Sequence, residues 1–290
     1  MSNERNPLRR VAIVVHPKLT GVTAEAQNIC AYLDERGVST FLSKTNQPEL
    51  SQKLEMGEFD LMIAVGGDGT MLRAGHLTAP LGLPLLGINL GRFGFLMQLS
   101  RTEWKDNFPR LLSGDYQIEN RMMLKAEHWR KDVLLDTFQA INEVVVCRGQ
   151  VVRPIRIRAE VDGYSLASYV ADGLIAATPT GSTAYALAVG GPIMPPELRN
   201  ILIVPVAPHL SMDRAVILPA GASVTIFAAS DHQAVMSVDG HAPVMLKNED
   251  KVLITASGYH VKFVVFQDPG YFYRNLSNYM EQNPSIGGLK

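Results

Sequence analysis

The residues best placed to do chemistry are those of GGDGT, Gly66 to Thr70, which follow the apolar run Leu61 to Val65. An aspartate flanked by three glycines either caps a helix or acts on a ligand. Aspartate is a favoured N-cap, and a helical-looking segment, TMLRAGHL, comes next. Three glycines, however, cost chain entropy that a plain cap does not require, and they let a ligand come close to the backbone. Gly66, Gly67, Gly69 and Thr70 then read as a phosphate-contacting loop near a helix start, and Asp68 as a base or metal partner. The pattern GxxxxGK[ST] is absent. GxGxxG fails at its third glycine, where Leu72 stands. A carboxylate facing a pyrophosphate would also be repelled, so a simple dinucleotide-binding dehydrogenase is disfavoured.

The second stretch is ADGLIAATPTGSTAYALAVGGPI, residues 171–193. Its hydroxyls and turn residues suit a sugar or phosphate, with a helix expected to start near Ser182 and add a positive end. A turn with an N-cap explains the same composition. GxSxG is absent, so the serine is no hydrolase nucleophile. In AINEVVV, Asn142 and Glu143 interrupt an apolar strand. One of them must point inward or sit at a rim, bonded either to a ligand or to a neighbouring backbone group. Neither HExxH nor a Cys/His cluster occurs, which argues against a zinc site built by the protein.

These residues need elements to hold them. Over the first 118 residues, strands (RVAIVVHP, VSTFLS, LMIAVG, PLLGINLG) alternate with helical segments such as GVTAEAQNICAYLDERG, with Gly37 as its C-cap. That grammar predicts an α/β domain with a Rossmann-like parallel sheet and a ligand at the carboxyl ends of its strands. Residues 119–267 read as a β-rich domain, antiparallel and sandwich-like, with Asp162-Gly163 as the strongest hairpin signal. Residues 268–290 read as a C-terminal helix returning to the first domain, with the ligand expected between the domains.

Composition sets the class. The chain has 290 residues, 47% hydrophobic and 19% charged, with a net charge of −1. This is globular composition without the electrostatic footprint of a nucleic-acid binder. Two cysteines without CxxC spacing, a polar start and no membrane-length apolar run predict a cytoplasmic protein with neither nucleic acid nor membrane as partner.

Taken in order, GGDGT, NLGRFGFL, INEVVV and DGLIAATPTGSTAYALAVGGPI resemble the NAD kinase family over about residues 11–275. The resemblance implies transfer of the ATP γ-phosphoryl group to the 2′-hydroxyl of the adenosine ribose of NAD. Asp68 would be the general base, with Gly66 to Gly69 against phosphates. Asn142 and Glu143 would bind the adenosine, helped by Thr183, Ala184 and Tyr185, and Phe95 would line the adenine pocket. Asp172 would sit near the nicotinamide. Thr180, Ser182, Ala186, Leu187 and Ala188 complete the NAD-binding segment, with Arg73, Arg153 and His241 as further contacts. Mg²⁺ or another divalent cation would arrive with ATP, and the assembly would be a homodimer or homotetramer. One departure is Val170, where some relatives carry an arginine. Losing that cation would change discrimination against NADH, leaving its acceptance open. A lipid kinase sharing the GGDGT loop and a catalytically silent dinucleotide-binding regulator are the alternatives.

Overall fold

The computed structural model describes residues 8–17, 22–91, 94–209, 212–229, 233–248, 250–268 and 270–282. Its contacts divide the chain into two units, one running up to Asn120 and resuming at His260, the other spanning Arg121–Tyr259.

In the first unit the chain runs β1 (Arg10–Val15), α1 (Val22–Asp34), β2 (Ser39–Lys44), α2 (Pro48–Glu55), β3 (Leu61–Gly66), α3 (Asp68–Thr78), β4 (Pro84–Asn89), β5 (Leu99–Ser100) and α4 (Trp104–Ser113). The strand order β4-β3-β1-β2 is parallel throughout. β1, β3 and β4 are apolar on both faces because helices cover both. On one face Val11, Ile13, Ile63 and Ile88 pack with Ile29 and Leu33 of α1 and Trp104 and Phe108 of α4. On the other, a Cβ on Gly87 of β4 would come within 2.9 Å of the Met71 sulfur, so α3 lies tight against that strand. α1 ends as its sequence predicts: Gly37 has φ +79°, and the Val38 N–H donates to the Leu33 carbonyl at 3.1 Å.

The second unit contains β6 (Gln117–Arg130, which starts in the first), β7 (Val133–Ala140), β8 (Glu143–Arg148), β9 (Ile155–Val161), β10 (Tyr164–Ala171) and β11 (Gly173–Ala177). A 3-10 turn at Thr180–Thr183 and the one-turn helix α5 (Tyr185–Ala188) follow. Next come β12 (Asn200–Val206), β13 (Val216–Pro219), β14 (Val224–Ala229), β15 (Ala234–Val238), β16 (Val244–Leu246) and β17 (Asp250–Val265). One sheet has the order β13-β12-β11-β8-β15-β16 and is antiparallel. Its Val144, Val146, Leu174 and Met236 pack against Leu124, Ile157, Tyr169 and Ile254 from the other strands, giving a sandwich core. Asp162 and Gly163 take φ +52° and +80° between β9 and β10, the hairpin conformation expected of Asp-Gly.

Three expectations need correction. AINEVVV is not one strand, because pairing stops after Ala140 and resumes at Glu143. No helix starts at Ser182; the serine lies inside the 3-10 turn, and α5 is only four residues long. β17 is one continuous strand, whose first part pairs with β14 while Lys262 and Phe263 pair in parallel with β4. The chain therefore re-enters the first unit at His260 rather than at 268. α6 (Tyr271–Gln282) follows, the C-terminal helix.

Candidate active site

The fully buried strand β3 delivers its last residue, Gly66, to the carboxyl edge of the first unit's sheet, and α3 starts two residues later. Gly66 must be small, since a Cβ there would sit 2.5 Å from Thr70 Oγ1. Gly67 meets no atom within 4 Å of such a Cβ, and Gly69 only the Arg73 guanidinium at 3.8 Å. The loop thus presents backbone to open space. The helix N-cap is Gly67, with no side-chain cap, so Asp68 does not cap α3.

The Asp68 carboxylate is used differently. Oδ2 accepts the Phe95 N–H at 3.0 Å and Oδ1 the Leu96 N–H at 3.2 Å. Both donors belong to the loop after β4, so the carboxylate ties two adjacent strand ends together at the place where open α/β sheets bind ligands. Arg73 folds back onto the Gly69 carbonyl at 3.2 Å. Arg92 and Phe93 of NLGRFGFL lie outside the described residues.

In the second unit the expected residues gather around the break between β7 and β8. Asn142 sits in that break, and Glu143 is the first residue of β8. Asn142 Oδ1 and Glu143 Oε2 are buried and have no hydrogen-bond partner in the protein, as does Thr180 Oγ1. Buried polar atoms are normally paired, so three orphans drawn from two neighbouring segments mark a surface awaiting a ligand. Glu143 is pushed up to about 8, first by burial and then by the Asp239 charge, against the Tyr185 backbone N–H.

The hydroxyl-rich segment divides into inward and outward members. Thr178 Oγ1 donates to the Ile141 carbonyl at 2.6 Å, and Ser182 Oγ donates to the Pro179 carbonyl at 2.6 Å and accepts the Met194 N–H at 2.9 Å. Thr183 Oγ1 donates to the Thr180 carbonyl at 3.0 Å. These hydroxyls brace the turn, and Ala186 with Met194 seals the sheet face formed by Val145, Ile175 and Leu202. Tyr185 and Ala188 are exposed, while Ala184 and Leu187 are half-buried. Gly181 is obligatory, because a Cβ there would fall on the Asn142 carbonyl. Arg153 lies in an exposed loop and His241 in an exposed turn.

Asp172 has a cation beside it despite Val170. Its Oδ1 is 3.0 Å from Nε of Arg148, brought there because β8 and β11 pair antiparallel. Two residues escaped the sequence reading: Arg148, which no local pattern distinguishes, and Asp239, whose only signal is the Asp-Gly pair in SVDGH. Among the described residues no group of three or more His, Cys, Asp or Glu is arranged to hold a metal, and no helix is long and apolar enough to cross a membrane.

Comparison with known proteins decides the family. The model of the ATP-NAD kinase C-terminal domain matches residues 141–266, and that of the N-terminal domain residues 34–116. This chain belongs to the NAD kinase family. It is 32% identical over 277 residues to an NAD kinase of Dehalococcoides mccartyi, covering 95% of this chain and 97% of the relative. It is 35% identical to one of Heliobacterium modesticaldum, covering 94% and 98%. Its fold matches that of yeast NADH kinase complexed with NADH, with a TM-score of 0.84 and 25% identity over 99% of this chain and 91% of that one. It also matches an NAD kinase from Archaeoglobus fulgidus in complex with ATP, with a TM-score of 0.76 and 29% identity over 96% and 100%. Matches to NAD kinases along nearly the whole chain remove the lipid-kinase and silent-regulator alternatives.

Proposed function

We propose that Asp68 is the general base in the transfer of the ATP γ-phosphoryl group to the 2′-hydroxyl of the adenosine ribose of NAD. Membership of the NAD kinase family gives the overall reaction, phosphorylation of NAD with ATP. The observation that carries the assignment is the state of the carboxylate. It is not spent on capping α3 and is fixed by two backbone amides beside the open face of Gly67. A base fixed in this way loses little entropy when the hydroxyl arrives.

Within the loop Gly66 to Thr70 the open backbone of Gly67 and Gly69 faces phosphate oxygens, while Gly66 and Thr70 hold the loop in shape, the Thr70 N–H donating to the Gly67 carbonyl at 2.8 Å. Asn142 and Glu143 bind the adenosine part with Thr180, Tyr185 and their neighbours, using the side-chain oxygens left unpaired in the protein. Asp172 serves the nicotinamide end, with Arg148 partly neutralising it. Mg²⁺ or another divalent cation would be carried by the nucleotide rather than by a cage of protein ligands. When bound, it neutralises phosphate charge, with phosphate and water completing its coordination. Cys30 and Cys147 are free thiols, which supports a reducing cytoplasm as the setting.

The test is a mass-spectrometric product assay with Mg-ATP and NAD, run beside Asp68→Asn. The wild type should form NADP, while the variant keeps NAD affinity within a few fold and loses ~10²- to 10⁴-fold in turnover. Near-wild-type turnover of Asp68→Asn would sink the base assignment.

A further inference from the structure

Asp239 stands in the loop between β15 and β16, in a tight turn in which it and Gly240 take φ +48° and +69°. The His241 N–H closes the turn onto the Val238 carbonyl at 2.9 Å. The Asp239 side chain is buried and reaches to the break between β7 and β8. Oδ2 accepts the Ile141 N–H at 2.7 Å, and Oδ1 accepts those of Asn142 at 2.8 Å and Glu143 at 3.0 Å. The Asp239 N–H in turn donates to the Glu143 carbonyl at 3.0 Å.

Thr178 grips the same segment, its N–H bonded to the Asn142 carbonyl at 2.8 Å and its hydroxyl to that of Ile141. Three consecutive backbone amides pointing at one carboxylate make an anion nest, and bonds to a charged acceptor are about twice as strong as neutral ones. The strength is needed, because the segment it fixes carries two buried side-chain oxygens with no partner in the protein. A free segment would turn those oxygens toward water or backbone donors.

We propose that Asp239 is a positioning residue for nucleotide recognition, holding the Ile141–Glu143 break so that Asn142 and Glu143 face the ligand. The proposal rests on the reading of that pair as NAD-binding residues.

The same carboxylate also acts on Glu143 through its charge. Besides Asp239, the titratable and charged groups around this corner are Tyr185 on α5, Cys147 and Arg148 on β8, Asp172 before β11, and His241 on the turn of Asp239 itself. Burial and the Asp239 charge together keep Glu143 protonated at neutral pH. In that form Glu143 can donate a hydrogen bond to a ligand oxygen or ring nitrogen, which an ionised carboxylate cannot.

The experiment is calorimetric titration of the full chain with NAD across about pH 6 to 9, for wild type, Asp239→Asn and Glu143→Gln. Asparagine tolerates the left-handed backbone of position 239 but brings neither the charge nor the full set of acceptors. We expect Asp239→Asn to bind NAD ~10-fold more weakly, with KM raised more than kcat is lowered. The pH above which its affinity declines should lie below that of the wild type. Glu143→Gln, a permanently neutral donor that leaves the nest intact, should bind NAD with an affinity that no longer depends on pH. Weaker binding by Asp239→Asn with an unchanged pH profile would overturn the proposal by reducing the residue to a structural role. Wild-type affinity that rises with pH, together with loss of binding in Glu143→Gln, would overturn the donor assignment. NAD affinity unchanged in both variants would instead overturn the placement of NAD against Asn142 and Glu143, leaving Asp68 untouched. A urea midpoint for each variant separates misfolding from these outcomes, and the Glu143→Gln result stands even if Asp239→Asn does not fold.

Discussion

Gly94 and Asp68 are packed so closely that a single methyl group on Gly94 would occupy the space of the Asp68 carboxylate. The bonds from Phe95 and Leu96 to that carboxylate require this approach, since both donors follow Gly94 directly. Gly94→Ala should therefore push the base out of place without touching the core. We expect turnover to fall by ~10²-fold, with a much smaller change in the urea unfolding midpoint.

Gly181→Ala should act on the other half of the reaction. Its Cβ would fall on the Asn142 carbonyl and spread the segment that Asp239 and Thr178 hold. Affinity for NAD should drop by roughly tenfold or more, at a cost in stability of about 1–3 kcal/mol from overpacking. Calorimetry and urea denaturation on the same sample check both.

Glu143 also leaves a mark on stability. Its folded value of about 8 lies above the ordinary 4.5, so between these pH values the folded state holds a proton that the unfolded state has released. Stability should fall as pH rises through that window, with this residue contributing up to about 1.4 kcal/mol per pH unit. Glu143→Gln should flatten the slope, which urea midpoints measured from about pH 5 to 8 will show.

Asp250 works in the opposite sense. Burial alone would raise its carboxyl, but Arg130 at 2.7 Å, the Lys247 N–H and His128 at 2.8 Å overcome that and hold it at about 2. Its contribution is fully present above the unfolded value of 3.8 and is lost as pH falls toward 2, a difference of about 2 kcal/mol. Asp250→Ala, which strands His128 and Arg130, should cost about 3–5 kcal/mol at neutral pH in equilibrium denaturation.

What could be read from the sequence followed the range of the forces involved. β1 to β4, the Gly37 cap and the Asp162-Gly163 hairpin are set by patterns within a few residues, and each appears where the pattern puts it. The aspartate of GGDGT reads from its neighbours as a cap or, with three glycines around it, as a group acting on a ligand, but the partners that hold it lie 27 and 28 residues away. The break at Asn142 looks like continuous strand because its cause, Asp239, is 96 to 98 residues away. The turn residues around Ser182 resemble a helix start for a similar reason. Serine and threonine that bond back to nearby carbonyls have the composition of caps, and here they stabilise a 3-10 turn instead.

β17 has a consequence for the order in which this protein can be made. Val264 and Phe266, which complete the first unit's core, emerge from the ribosome only after the whole of Arg121–Tyr259. Until then Pro84 and Leu85 of β4 lack the strand they later pair with, and at typical synthesis rates the delay is on the order of ten seconds. A nascent chain with an open parallel edge invites mispairing, so the second unit, though later in sequence, is free to finish folding first. The glycine-aspartate loop is therefore among the first parts translated, yet it stands on a sheet that is among the last to close.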